Sequence, residues 1–438
     1  MKTVRIGSGA GYSGDRVDPA VELVQKGDLS YLVFECLAER TIALAQESRL
    51  RNRSPGYDPL LQERMETVLP ACAQKKTRII SNMGAANPAA AADKTREIAQ
   101  QLGISGLRIA AITGDDLIST GAAEKMSLAK PLSQKRVSAN AYLGAEPILE
   151  ALAEGADVVL TGRVADPSMF LAPLVHEFAW SMEDWNLLGQ GTVIGHLLEC
   201  AGQVTGGYFA DPGYKDVPNL ARLGFPLAEV SEDGVATITK IEGSGGLITK
   251  ATCTEQLLYE IQDPSAYFTP DVIADFSHVS IEPDGLDRMR IYGGRGKPRP
   301  ANLKVSVGYH DGYLGEAQIS YAGLGAMGRA ELAREILDKR LRDIGLKELR
   351  FDFIGINSIL PGRLSRMESD PYEIRLRVAG RADTMSAASM IHREVESLYT
   401  NGPAGGGGVV GSTKETIGIT SALISRDMVP HKIHYEVS

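Results

Sequence analysis

The sequence predicts an α/β protein: a parallel-sheet N-terminal domain with helices on both faces, then a smaller α+β C-terminal domain with antiparallel strands. Two observations predict it. Through the first half, a short β-branched or aliphatic run, a loop rich in Gly, Asn and Asp, and a stretch with apolar residues at helical spacing recur in that order. From about residue 230 the runs instead alternate apolar and polar residues, which is the period of half-exposed antiparallel strands.

Five core strands are read at Val4 to Gly7, Tyr31 to Glu35, Arg78 to Ser81, Leu107 to Ile112 and Asp157 to Thr161. Their near-continuous hydrophobicity suits a parallel sheet covered on both sides. Helix starts are marked by Asp18-Pro19, Asp58-Pro59, Asn87-Pro88, Glu146-Pro147 and Asp166-Pro167. In all but the Glu146 case the first residue is a conventional N-cap, and proline at the first helical position gives up a donor that had no intrahelical acceptor. Gly27, Gly103 and Gly155 stand where such helices stop. Alternating strands follow at Val235 to Ile241, Met289 to Tyr292, Val305 to Val307 and Ile374 to Val378, with helices at Ala330 to Ile344 and Ser386 to Tyr399. The boundary is set near residue 226: an α/β domain over 1–226 carrying a strand-end ligand rim, and an α+β domain over 227–438 with glycine-rich loops at 284–300 and 401–412.

Hydrophobic residues make up 43% and charged residues 23% of the chain, ordinary globular usage that excludes a disordered or fibrous protein. A formal charge of -9 lacks the basic footprint that phosphate-backbone binding requires, so nucleic acid is not an expected partner. Cys36, Cys72, Cys200 and Cys253 show no CxxC spacing and read as free cytosolic thiols. With no secretory h-region and no apolar stretch of about 18 residues, the expected location is cytoplasmic, with no membrane partner.

In a parallel sheet the loops leaving the carboxyl ends of the strands share one rim, so residues far apart in sequence converge there. The first loop, Gly7 to Arg16, offers Gly9, Gly11, Ser13, Gly14 and Asp15 either as a cradle for a phosphate or carboxylate or as a purely structural turn. Glu35 ends the second strand as a general base or as one half of a salt bridge, while Cys36 reads as a small buried thiol rather than a nucleophile. In the third loop Asn87 is read as a helix cap, whereas the Asn82 amide is free to recognise a carbonyl or hydroxyl. Asp115 and Asp116 either hold a divalent cation or divide acid and base roles, or simply open a helix with favourable charge. Arg163 presents a guanidinium fork to a substrate carboxylate or phosphate, or pairs with Asp166, and Asn140 joins it from the preceding segment. His196, Glu199 and Cys200 imitate a metal-ligand spacing that is more often accidental, so no metal is assigned. The segment Gly405 to Glu415 fails as a P-loop, because Ser412-Thr413-Lys414 stands where Lys and then Ser or Thr are required; a surface loop is favoured over an anion nest.

Taken together, GSGAGYSGDR, YLVFECLAERTIALAQ, SNMGAANP, ITGDD, ANAYLGAEPI and VVLTGRVADPS resemble the acyclic terpene utilisation, or AtuA-like, family, in order and across most of the chain. The resemblance implies bacterial catabolism of citronellol- and geraniol-like terpenoids, with a lyase or hydration step on a branched acyl-CoA. Longer family members carry a C-terminal ferredoxin-like domain that this chain is expected to lack, which implies a small ferredoxin-like subunit as partner. The resulting expectation is a homo-oligomeric lyase or hydratase acting on a carboxylate or branched acyl-CoA by proton abstraction and C–C or C–O cleavage. Its catalytic residues are read at the rim as Glu35, Asp115 and Asp166, and its substrate contacts as Gly9, Gly11, Ser13, Gly14, Asp15, Asn82, Asn140 and Arg163. The alternative is a non-catalytic acyl-CoA-binding or scaffold subunit. No resident cofactor is assigned.

Overall fold

A computed structural model describes residues 2–128, 134–360, 364–365 and 371–438. All five expected core strands form: β1 Thr3–Ala10, β2 Tyr31–Phe34, β3 Arg78–Ser81, β4 Arg108–Thr113 and β5 Val158–Thr161. They pair in the order β1-β2-β3-β5-β4, every pair parallel. Each strand sends alternate side chains to opposite faces. Leu32, Ile79, Ile109 and Leu160 join Leu23, Met65 and Ile98, which come from helices α1 Asp18–Lys26, α3 Leu61–Lys75 and α4 Pro88–Gln101. Tyr31, Ile80, Ala110 and Val159 join Ile148, Phe170 and Val193, which come from α5 Glu146–Ala153, α6 Ser168–Phe178 and α7 Trp185–Glu199. The remaining helix of this first stretch is α2, Glu39–Leu50. Burying an aliphatic side chain contributes about 1.5–3 kcal/mol, which is why strands covered on both faces read as unbroken apolar runs.

The sheet does not end with those five strands. Antiparallel β6 Pro226–Ser231, β7 Ala236–Lys240, β8 Ser280–Pro283 and β9 Met289–Tyr292 extend it beyond β1 in the order β8-β9-β7-β6, and β10 Lys432–Val437 lies against β4. The boundary read near residue 226 therefore falls on the first residue of β6, a strand hydrogen-bonded to β1 along Thr3 to Gly7. Contacts divide the chain into one unit of Met1–Leu132, Val137–Gly308 and Ile419–Ser438, and another of Ser133–Arg136 and Tyr309–Gly418. In the second unit Glu373–Ala382 lies between Leu346–Ile354 and the Tyr313 to Ala322 stretch of the strand Asn302–Ala322, all antiparallel. Its core joins Ile319, Tyr321, Leu376 and Val378 to Ala330 and Leu337 of Ala326–Leu341 and to Ile391 and Leu398 of Met385–Asn401. The loop read at 284–300 contains β9 and the short strand Arg295–Lys297, and the one read at 401–412 runs into the strand Gly407–Ser425.

Of the five polar-proline helix starts, only Asn87 caps with its side chain, accepting from the Ala90 amide at 3.4 Å. Asp18 is itself the first residue of α1. Asp58 accepts the Leu60 amide one residue ahead of α3, and Asp166 is paired with Arg163. α5 starts at Glu146 behind Ala145, whose amide is held by distant Asp271 at 2.8 Å. A carboxylate with a buried cation within reach makes that charge-assisted pair in preference to a helix amide.

Candidate active site

The carboxyl ends of β1, β2 and β5 open into a cavity of about 1160 Å³. Gly11 and Asp15 of the first loop line it, but the loop is closed on itself. Asp15 Oδ2 accepts the Gly11 amide at 3.0 Å, and the fully buried Arg64 donates to the carbonyls of Ser13 and Asp15 at 2.8 and 3.2 Å. The amide that would cradle an anion is thus already bound to a carboxylate. A Cβ on Gly11 would lie 2.5 Å from the Cys200 carbonyl carbon, so glycine here permits the end of α7 to approach. A Cβ on Gly9 would strike the Phe34 ring and one on Gly14 the Tyr12 ring; Ser13 is hydrogen-bonded to Asp58, and none of the three lines the cavity.

Glu35 faces the cavity where β2 ends, with Oε1 accepting from Asn82 Nδ2 at 2.9 Å and from the Leu37 amide at 2.8 Å. Burial and then the charge of Asp166 push the Glu35 carboxyl up to about 8, against the pull of Asn82 and Arg163, so it holds its proton at neutral pH. Burial likewise raises Asp166 despite Arg163 beside it. Arg163, 2% exposed, donates to Asp166 Oδ1 at 2.9 Å and to the Leu37 carbonyl, and stacks 4.2 Å over the Tyr142 ring. Lys304 lies 4.7 Å over the same ring and pairs with Glu39 at 3.1 Å. Burial opposes ionisation of Glu39, yet Arg163, the Tyr142 hydroxyl and Lys304 together pull it down to about 2.

Asn82, Asp115 and Asn140 lie behind this wall rather than in it. Asp115 Oδ2 accepts from Asn140 Nδ2 at 2.8 Å and from the Arg163 amide at 2.9 Å, fixing the backbone that carries the guanidinium. Burial pushes the Asp115 carboxyl up to about 6. Asp116 turns away to the Ile118 amide, so the two aspartates do not share a ligand, and among the described residues no three His, Cys, Asp or Glu side chains are placed to hold a metal ion.

The lining also includes residues that the sequence does not assign to substrate. His196 and Glu199, one helical turn apart on α7, are joined Nδ1 to Oε1 at 2.8 Å; the i, i+3 spacing in a run of otherwise apolar residues was their visible signal. Tyr142 and Lys304 had none, because they come from segments more than a hundred residues apart. Leu37, Leu223, Phe225, Phe268 and Leu303 supply apolar lining. Burial pushes the Cys200 thiol up, which keeps it protonated.

The family model of the acyclic terpene utilisation family protein AtuA matches residues 4–435. No curated protein and no solved structure matches the chain.

Proposed function

Because this chain belongs to the acyclic terpene utilisation family AtuA, a family of catabolic proteins, we propose that it is a lyase or hydratase acting on a branched acyl group with a carboxylate or thioester end. One observation carries the proposal: Glu35 lines the cavity beside a second carboxyl, Asp166, that is tied to a buried arginine, in surroundings that push the Glu35 carboxyl up to about 8. An acid kept neutral in this way can give its proton to a departing hydroxyl. In dehydration of a β-hydroxyacyl compound the C–O bond breaks as Glu35 protonates the oxygen, and the bond pair of the Cα–H becomes the new double bond once that proton is taken up. In hydration Glu35, then ionised, accepts the proton of the attacking water. Arg163 and Lys304 set the field at the polar end of the acyl group.

Among the described lining residues, Asp15, Glu35, Glu39, Asp166, Glu199 and Glu260 carry carboxyl groups, against the permanent cations Arg16, Arg163 and Lys304. Arg16 and Lys304 are already paired with Asp18 and Glu39. A cation-poor cavity favours the acyl portion; the phosphates of a coenzyme A ester belong outside it.

The test is incubation of the chain alone with branched β-hydroxyacyl and α,β-unsaturated thioesters in ¹⁸O-labelled water. Interconversion with label uptake, reduced about 10²- to 10⁴-fold in Glu35→Gln, is the expected result. Binding in a thermal-shift assay without turnover overturns it in favour of the non-catalytic subunit that requires a small ferredoxin-like partner.

A further inference from the structure

The proton on carbon needs an acceptor other than Glu35, and we propose that His196 is that acceptor: its Nε2 takes and returns the Cα proton of the acyl substrate, with Glu199 as the positioning residue that holds Nδ1. This rests on the proposed dehydration or hydration.

Both residues line the cavity that contains Glu35 and Asp166. Glu199 Oε1 lies 2.8 Å from Nδ1; with Glu199 ionised, Nδ1–H donates to it and the lone pair stands on Nε2. The pair is buried, yet His196 Nε2 and Glu199 Oε2 have no hydrogen-bond partner among the described residues. A buried pair that served packing alone would have both ends satisfied, since an orphaned polar atom is costly. Here the nitrogen remote from Glu199 is the unsatisfied one. The imidazole is clamped by the Tyr267 and Phe276 rings, each with its centroid at 5.5 Å, and Gln256 holds the His196 carbonyl at 3.1 Å, so the ring has a fixed orientation.

The charged and titratable groups that bear on the pair are Asp166 and Glu260, together with Tyr267 and Cys200. Burial pushes Glu199 up to about 7, while His196 pulls it down. Asp166 acts on Glu199, and Glu35, Asp166 and Glu199 all act on Cys200, so the His196–Glu199 pair lies within electrostatic reach of Glu35 and Asp166. In the forward step the Nε2 lone pair takes the Cα proton and the C–H bond pair enters the enolate or the forming double bond. The imidazolium is then neutralised by Glu199, and in reverse Nε2 returns the proton to Cα. No oxidant or reductant is involved.

The test uses a saturated 3-methylbutanoyl thioester of N-acetylcysteamine in D₂O, a probe with no hydroxyl to lose. Wild-type protein is expected to exchange the Cα protons for deuterium, read by mass and proton NMR. His196→Asn should lower that rate at least 100-fold, and Glu199→Gln should lower it about tenfold and shift its pH profile. Exchange at the wild-type rate in His196→Asn, or no exchange in the wild type, overturns the proposal. Should His196→Asn fail to fold, ¹⁵N-histidine spectra decide: the proposal requires Nδ1–H in the wild type and loss of that preference in Glu199→Gln, and an Nε2–H tautomer overturns it. Dehydration without exchange removes the His196 assignment and leaves the proposed function standing; exchange without dehydration does the opposite.

Discussion

Asn82 joins the ends of two parallel strands by donating from Nδ2 to Glu35 Oε1 at 2.9 Å while its Oδ1 accepts the Cys36 amide at 2.7 Å. The amide thus orients the acid of the proposed reaction without facing the cavity. Because it lowers the Glu35 carboxyl toward its ordinary range, Asn82→Ala should raise that group further. The alkaline limb of the rate profile, where Glu35 loses its proton, is expected to move to higher pH. The orphaned Cys36 amide should cost about 1–3 kcal/mol of stability, measured by urea unfolding. An unmoved limb would show that Glu35 does not control it.

Stability should depend on pH through the same residue. The Glu35 carboxyl ordinarily titrates at 4.5 and is pushed up to about 8 in the fold. Between those values the unfolded chain has released the proton and the folded chain has kept it, so stability falls as pH rises from 4.5 to about 8 and levels off above. Glu35→Gln removes this contribution. Its Tm is expected to differ little from wild type near pH 4.5 and to exceed it increasingly toward pH 8, with the smaller fall due to Glu199, raised to about 7, remaining. Equal slopes in the two proteins would contradict the burial of a protonated Glu35.

Arg163→Lys keeps the charge and loses the geometry. A lysine cannot reproduce the fork that reaches both Asp166 and the Leu37 carbonyl, nor the stacking on Tyr142. Losing those directed hydrogen bonds costs about 1–3 kcal/mol, so a fall in Tm is expected, with kcat falling more than KM rises. Asp115→Ala should also lose about 1–3 kcal/mol, since Asn140 and the Arg163 amide lose their acceptor. Kinetic effects in that variant follow from the shifted Arg163, because Asp115 does not reach the cavity.

Two glycines should respond in opposite directions. Gly11→Ala places a methyl group against the Cys200 backbone, where nothing flexible can yield, and is expected to lower stability by about 1–3 kcal/mol and to impair ligand binding. Gly328 lies on the exposed side of the helix Ala326–Leu341, with nothing among the described residues within 4 Å of an added Cβ, so Gly328→Ala should stabilise by about 0.5–1 kcal/mol. Denaturant midpoints of the two variants check both signs.

The five parallel strands were legible because burial on both faces leaves unbroken apolar runs, and Glu35, Arg163 and Asp166 were legible because each follows such a run. What alternation cannot convey is the pairing partner. Pro226 to Ser231 is not among the strands that alternation predicts, and nothing local says that it hydrogen-bonds to a strand over two hundred residues earlier. The same gap hid Tyr142 and Lys304. Asp166 fits a helix cap by residue type and a pair with Arg163 by its spacing, and the fold decides for the arginine. The spacing of His196 and Glu199 is visible in the sequence, but their relation to Glu35 depends on how α7 packs against the first loop at Gly11 and Cys200.

One cavity takes its walls from Gly11 at one extreme of the chain and Leu423 near the other. Closing so long a segment carries a large entropic cost before any contact rewards it, and chains dominated by distant pairings reach the native state slowly. Ligand recognition should therefore return with the last kinetic phase of refolding, after the helical signal has recovered.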